Sequence, residues 1–153
     1  MNKLKSIDHE LRATWQAVAK VYNEQAVKHD STMATAFVLL NIDKLNGTPS
    51  TALGPLMGME PTSLSRILKT MEDKGAISRE KNPDDGRSVI IKLTEYGKEM
   101  RKISKAYVIQ FNETVMENVS KEDLAGFFKV TSTINKLIAD KDIYENTNKN
   151  KAV

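Results

Sequence analysis

Glu60-Pro61-Thr62-Ser63-Leu64-Ser65-Arg66-Ile67-Leu68-Lys69-Thr70-Met71-Glu72-Asp73-Lys74-Gly75 is the stretch whose reading decides the fold, together with the residues that follow it to Gly97. Pro61 suits the first turn of a helix, where its missing amide is no loss. Leu64, Ile67, Leu68 and Met71 then recur at helical spacing and form one inward face. Thr62, Ser63, Ser65, Arg66 and Lys69 are left facing outward. Lys74-Gly75 is a cation-then-glycine helix ending. Ala76–Lys81 and Ser88–Leu93 read as two strands, the second carrying the β-branched run Val89-Ile90-Ile91. The turn between them, Asn82-Pro83-Asp84-Asp85-Gly86-Arg87, is dense in turn formers. Thr94-Glu95-Tyr96-Gly97 opens a further helix. The stretch is a helix with a β-hairpin wing attached.

On the N-terminal side, a short third helix is expected to begin at Thr48-Pro49-Ser50-Thr51, with Ser50 as its N-cap and Gly58 as its stop. Gly54-Pro55 is awkward inside it, so it should be short, kinked or started late. Joined to Pro61–Asp73 by Gly58-Met59-Glu60, it makes a helix-turn-helix. Met33–Leu45 forms the helix before it. Phe37–Ile42 is apolar almost all round, so this helix should be central, and Asn46-Gly47 ends it. Ile7 to about His29 is a first helix with the stripe Ile7, Leu11, Trp15, Val18 and Tyr22. That stripe is large enough to pack on something outside its local fold. Beyond the wing, Tyr96, Met100, Ile103, Tyr107, Phe111 and Val115 mark a long helix to about Asn118. Ser120 and Asp123 then cap a last helix with the stripe Leu124, Phe127, Phe128, Thr131, Ile134 and Ile138. Residues 145–153 read as a flexible polar tail.

At 153 residues, 40% of them hydrophobic, the chain can bury a core without staples. It has no cysteine, which excludes disulfides, thiolate metal sites and cysteine redox sensing. His9 and His29 have no metal-ligand spacing and lie on or beside the first helix without partners, so no metal is expected. No nucleophile–base–acid set is present, so neither enzymatic activity nor a cofactor is expected. No apolar run reaches the roughly 20 residues of a membrane span, and no signal core follows Met1. The expected location is the cytoplasm.

Net charge is +3, which permits a polyanionic partner without demanding one. Within residues 60–92, Arg66, Lys69, Lys74, Arg79, Lys81, Arg87 and Lys92 are nearly cancelled by Glu60, Glu72, Asp73, Glu80, Asp84 and Asp85. The case for DNA therefore rests on faces rather than totals. Arginine pairs bidentately with guanine in the major groove, and small hydroxyls let a helix approach closely. Lys69, a turn further on, suits a phosphate. Arg87 at the hairpin tip can enter a minor groove. One of Asp84 and Asp85 holds an arginine, by a salt bridge or a turn hydrogen bond. The competing reading is a winged-helix module that binds proteins without sequence-specific DNA binding.

Met71-Glu72-Asp73-Lys74-Gly75, Asn82-Pro83-Asp84-Asp85-Gly86-Arg87-Ser88 and Leu93-Thr94-Glu95-Tyr96-Gly97 resemble the signature of MarR-type winged helix-turn-helix transcriptional regulators. Thr62-Ser63-Leu64-Ser65-Arg66 resembles the core of their recognition helix. The resemblance implies a mainly α fold with a small β-hairpin wing: a winged helix-turn-helix domain plus N- and C-terminal dimerisation helices. The expected organisation is a dimerisation helix over 1–30, a DNA-binding lobe over 31–94, dimerisation helices over 95–144 and the tail. The resemblance implies a homodimer on a pseudo-palindromic double-stranded operator, with ligand binding that weakens DNA affinity; a ligand-responsive repressor is the expected function, an activator the other possibility the sequence leaves open. Ser63, Ser65 and Arg66, with Thr62 and Lys69, carry over as recognition-helix contacts, and Asp85 and Arg87 as the wing pair. Gly86 stands where relatives often place another cation, and Gly54-Pro55 departs from the usual helix before the turn. A small aromatic or amphipathic effector is also implied. Candidates for its pocket are Trp15, Tyr22, Phe37 and Tyr107, for which dimer and core packing is the competing explanation.

Overall fold

The computed structural model describes residues 6–145. The chain runs α1 (Ile7–Val27), α2 (Met33–Asn41), β1 (Thr48–Pro49), α3 (Ser50–Met57), α4 (Pro61–Asp73), β2 (Ile77–Lys81), β3 (Val89–Leu93), α5 (Glu95–Glu117), α6 (Lys121–Ala139) and α7 (Asp142–Glu145). It is mainly helical with one small antiparallel sheet, the winged helix-turn-helix that the spacing predicts. Residues 146–153 of the expected tail lie outside the described residues. Packing divides the chain into two units, Met1–Ile109 and Gln110–Val153, and the boundary falls within α5.

The core of the first unit gathers Val38, Leu39 and Ile42 around Leu53, Leu64, Leu68, Met71, Ile77, Ile91 and Met100. Each such side chain, fully buried, contributes about 1.5–3 kcal/mol. That scale explains α3. Pro55 inside the helix costs about 3 kcal/mol. Leu53, completely buried, offsets much of this. Gly54 adds closeness, since a Cβ there would sit 3.3 Å from the Met59 carbonyl oxygen. The helix stays short and stops at Gly58, whose φ of 62° is left-handed.

Three local expectations are corrected. Thr48–Pro49 does not begin a helix. It pairs as a strand with β3, Thr48 opposite Ile91 and Pro49 opposite Ile90, so the wing is a three-stranded sheet in the order β1-β3-β2. Ser50 is not the N-cap of α3. Pro49 holds that place, and the Ser50 hydroxyl accepts the Val89 amide at 3.5 Å. Finally, α2 ends at Asn41, four residues before the expected Leu45. Asp43 ends it by competition: its carboxylate accepts the Leu45 and Asn46 amides at 3.0 and 2.6 Å. Those amides, Asn46's first, hold the Asp43 carboxyl below its usual range. Gly47 closes the loop at φ 75°, with Ile90 Cγ2 and the Ile91 carbonyl oxygen each 2.7 Å from where a Cβ would be.

The start of α5 is fastened to the end of α4. The Thr94 amide donates to the Ala76 carbonyl at 3.1 Å. Its hydroxyl donates to the Gly75 carbonyl and accepts the Gly97 amide at 3.0 Å. In the second unit, Ser120 caps α6 by accepting the Asp123 amide at 3.0 Å. No residue of α6 is buried: Phe127 and Phe128 are 56% and 55% exposed, their rings edge to face 5.5 Å apart.

Candidate nucleic-acid interface

The outward face of α4 follows from its inward one. Leu64, Leu68 and Met71 are buried, which leaves Thr62, Ser63, Ser65, Arg66 and Lys69 exposed. The hydroxyls of Thr62, Ser63 and Ser65 have no hydrogen-bond partner among the described residues, so all three are available. The side chain that folds back is Thr70, whose hydroxyl donates to the Arg66 carbonyl at 3.2 Å.

Ion pairing sorts the seven cations that the sequence leaves nearly cancelled. Lys69 pairs with Asp73 at 2.6 Å, and Lys92 with Glu80 at 2.8 Å. Lys74 reaches Asp30 at 3.3 Å, and Arg79 on β2 pairs with Glu72 on α4. Arg66, Lys81 and Arg87 pair with no carboxylate among the described residues. The uncompensated positive charge therefore sits on the recognition-type helix and the wing. Lys69 is the weaker candidate: the Asp73 hydrogen bond, and then its charge, raise the lysine's pKa and engage its ammonium within the helix.

Sequence reading did not select Lys81. It is the last residue of β2, opposite Val89, and no motif marks it. Only the pairing of its neighbours reveals it as a free cation.

The wing turn is built by its own side chains. Asn82, buried, donates to the Ser88 hydroxyl at 2.8 Å and accepts the Asp84 amide at 3.0 Å. Asp85 accepts the Arg87 amide at 2.9 Å. Of the two alternatives for an acid holding an arginine, the turn hydrogen bond is the one formed. It fixes the backbone of Arg87, whose guanidinium pairs with no carboxylate among the described residues.

Three of the four candidate pocket residues come together. Tyr22, Phe37 and Tyr107 line one cavity between α1, α2 and α5, of about 30 Å3, room for about one water. Trp15 is not in its lining. It stacks on Phe37 from outside, ring centroids 6.4 Å apart, and is 52% exposed. Burial raises the Tyr22 pKa. His29 is not without a partner, contrary to expectation: its Nε2 lies 3.2 Å from the Tyr107 hydroxyl in this same cavity. A contact across 78 positions has no trace in local spacing. Among the described residues, no three His, Cys, Asp or Glu side chains are placed to hold a metal, and no helix is long and apolar enough to cross a membrane.

Comparison with known proteins bears on the fold and the family. The sequence profile of the MarR family matches residues 32–89. The HTH-type transcriptional regulator SarZ of Staphylococcus saprophyticus is 32% identical over 118 residues, covering 72% of this chain and 79% of that protein. The uncharacterized HTH-type transcriptional regulator YdgJ of Bacillus subtilis is 33% identical over 67 residues, 44% of this chain, and the chain spans only 41% of its length. The crystal structure of the PcaV transcriptional regulator from Streptomyces coelicolor, in complex with its natural ligand, superposes with a TM-score of 0.74. It has 17% identity and covers 89% of this chain and 96% of that one.

Proposed function

The chain belongs to the MarR family of DNA-binding transcriptional regulators, and we propose that it acts as a homodimeric, ligand-responsive repressor on a pseudo-palindromic operator. The observation that carries the DNA contacts is the charge sorting: among the described residues, Arg66, Lys81 and Arg87 are left unpaired while their neighbours are held in ion pairs. In this reading Ser63, Ser65 and Arg66, flanked by Thr62 and Lys69, meet base edges and phosphates of the major groove. The wing carries Arg87, oriented by Asp85, towards the minor groove. Selection of bound DNA from a random pool, at stated salt, tests the proposal. A palindrome with half-sites roughly 10 base pairs apart is expected. No enrichment would favour a protein-binding module instead.

The dimer rests on apolar side chains that the chain does not bury itself. Ile7, Leu11 and Trp15 on α1 and Phe127, Phe128 and Ile138 on α6 are all exposed. A second copy is the occupant that would remove them from water. Phe128→Glu is expected to turn a dimer into a monomer in sedimentation equilibrium. A variant that stays dimeric at micromolar concentration would remove α6 from the interface.

Ligand response rests on the aromatic cavity, and the reading is supported by PcaV, a regulator of the same fold whose structure is in complex with its natural ligand. The volume of the cavity here means that Tyr22, Phe37 and Tyr107 have to move apart before an aromatic effector enters.

A further inference from the structure

Register fixes which way each side chain of β2 points. Arg79 lies opposite Ile91 and Lys81 opposite Val89. Successive strand residues face opposite sides of a sheet, so Arg79 and Lys81 share one face and Glu80 takes the other. The ion pairs agree: Arg79 reaches Glu72 on α4, while Glu80 reaches Lys92 at 2.8 Å. Lys81 therefore stands on the α4 side of the wing, about 7 Å further along β2 than Arg79. It is exposed, and residues 82–87 that follow it form the turn carrying Arg87.

The other cations of this region are engaged. Glu72 holds Arg79, Glu80 holds Lys92, and on α4 Asp73 holds Lys69. Lys81 has no acidic partner among the described residues. The acid next to it in sequence, Glu80, points to the opposite face and is already taken by Lys92. The pair of Arg79 with Glu72 also fastens β2 to α4, so the strand beneath Lys81 keeps a fixed place beside that helix.

Adjacent major and minor grooves of a duplex are divided by one sugar-phosphate strand. A protein that reads the major groove with α4 and enters the neighbouring minor groove with Arg87 straddles that strand. The strand then crosses the wing between α4 and the turn, which is where Lys81 stands. We propose that the Lys81 ammonium holds a backbone phosphate of this dividing strand, and so sets the register of α4 in its groove. The assignment rests on the proposed placing of α4 and Arg87 in adjacent grooves. A compact ammonium on a flexible stem suits a phosphate, and a phosphate contact carries no base preference of its own.

The test uses the full chain on the selected operator and its single-base variants, followed by fluorescence anisotropy over a salt series. Lys81→Gln is expected to lower the slope of log affinity against log salt by about 0.9 for each half-site engaged. It should weaken binding by the same factor on the operator and on every single-base variant, and Lys81→Arg should restore the parent slope. A second arm uses operators that carry one neutral methylphosphonate linkage at a time. Among the linkages that weaken the parent chain, one per half-site, on the dividing strand, should leave Lys81→Gln unaffected. An unchanged slope, an altered base preference, or the absence of such a linkage would each overturn the proposal. If Arg66→Ala weakens binding and Lys81→Gln does not, the phosphate assignment alone falls. If neither does, the placing of α4 and the wing on DNA falls with it.

Discussion

Gly97→Ala should lower the unfolding free energy by about 3–5 kcal/mol, a large part of the 5–15 kcal/mol that holds an ordinary domain together. Helix propensity alone argues for the opposite sign, because Ala in place of Gly within a helix gains about 1 kcal/mol. The local geometry outweighs it. A Cβ at position 97 would lie 1.9 Å from the Ala76 carbonyl oxygen and 3.0 Å from its carbon. The obstacle is backbone, so no side-chain rotation relieves the clash. The start of α5 has to retreat, which strains the Thr94 bonds to Gly75, Ala76 and Gly97. Overpacking costs about 1–3 kcal/mol and each lost hydrogen bond about 0.5–1.5 kcal/mol. Urea unfolding of parent and variant decides it. A Gly97→Ala chain as stable as the parent would show that α5 does not approach Ala76 as closely as described.

Arg66→Ala should weaken operator binding by about 1–3 kcal/mol, roughly 5- to 150-fold, and relax base preference at one position of each half-site. The reason is availability. Arg66 is exposed on the helix and pairs with no acid among the described residues, so its guanidinium reaches a base edge without first breaking a bond. Lys69→Ala should cost less, since Asp73 already engages that ammonium. Arg87→Ala should weaken binding more uniformly across sequences. If its partner is a phosphate, the slope of log affinity against log salt should fall by about 1. Fluorescence anisotropy over a salt series, on the selected operator and on single-base variants of it, separates the two roles. If the Arg66 and Arg87 variants both bind like the parent, α4 and the wing are not the DNA-reading surface.

What was legible in the sequence is what local chemistry controls. The apolar period of α4, the turn formers of the wing, the left-handed ending at Gly75 and the Ser120 cap each depend on residues within a few positions of one another. β1 was illegible for the converse reason. Two residues, one of them a proline, are too short a run to signal a strand, and Thr48–Pro49 pairs as one because β3 supplies its partner. The end of α2 was missed because Leu45 is apolar and continues the period, while Asp43 stops the helix by capturing amides ahead of it. In the candidate site, exposure of the α4 face could be read from spacing. The pairing of Arg79 with Glu72, of Lys74 with Asp30 and of His29 with Tyr107 could not, because each is made by tertiary packing and not within one helix or strand. Lys81 emerges as a cation without an acidic partner among the described residues only once those pairs, and that of Lys92 with Glu80, are known.

The order β1-β3-β2 also bears on how safely this sheet is exposed to crowded solution. Val89-Ile90-Ile91 is the kind of β-branched run that templates aggregation when it forms an open edge. Here it is the middle strand. One edge beside it is only two residues long and includes a proline, which has no amide to offer a foreign strand. The other edge presents Arg79, Glu80 and Lys81, charges that discourage a neutral intruder. The short first strand and the charged second one thus act as guards for the sticky third. Conditions that peel either away, rather than those that loosen the helices, are where self-association of this wing would begin.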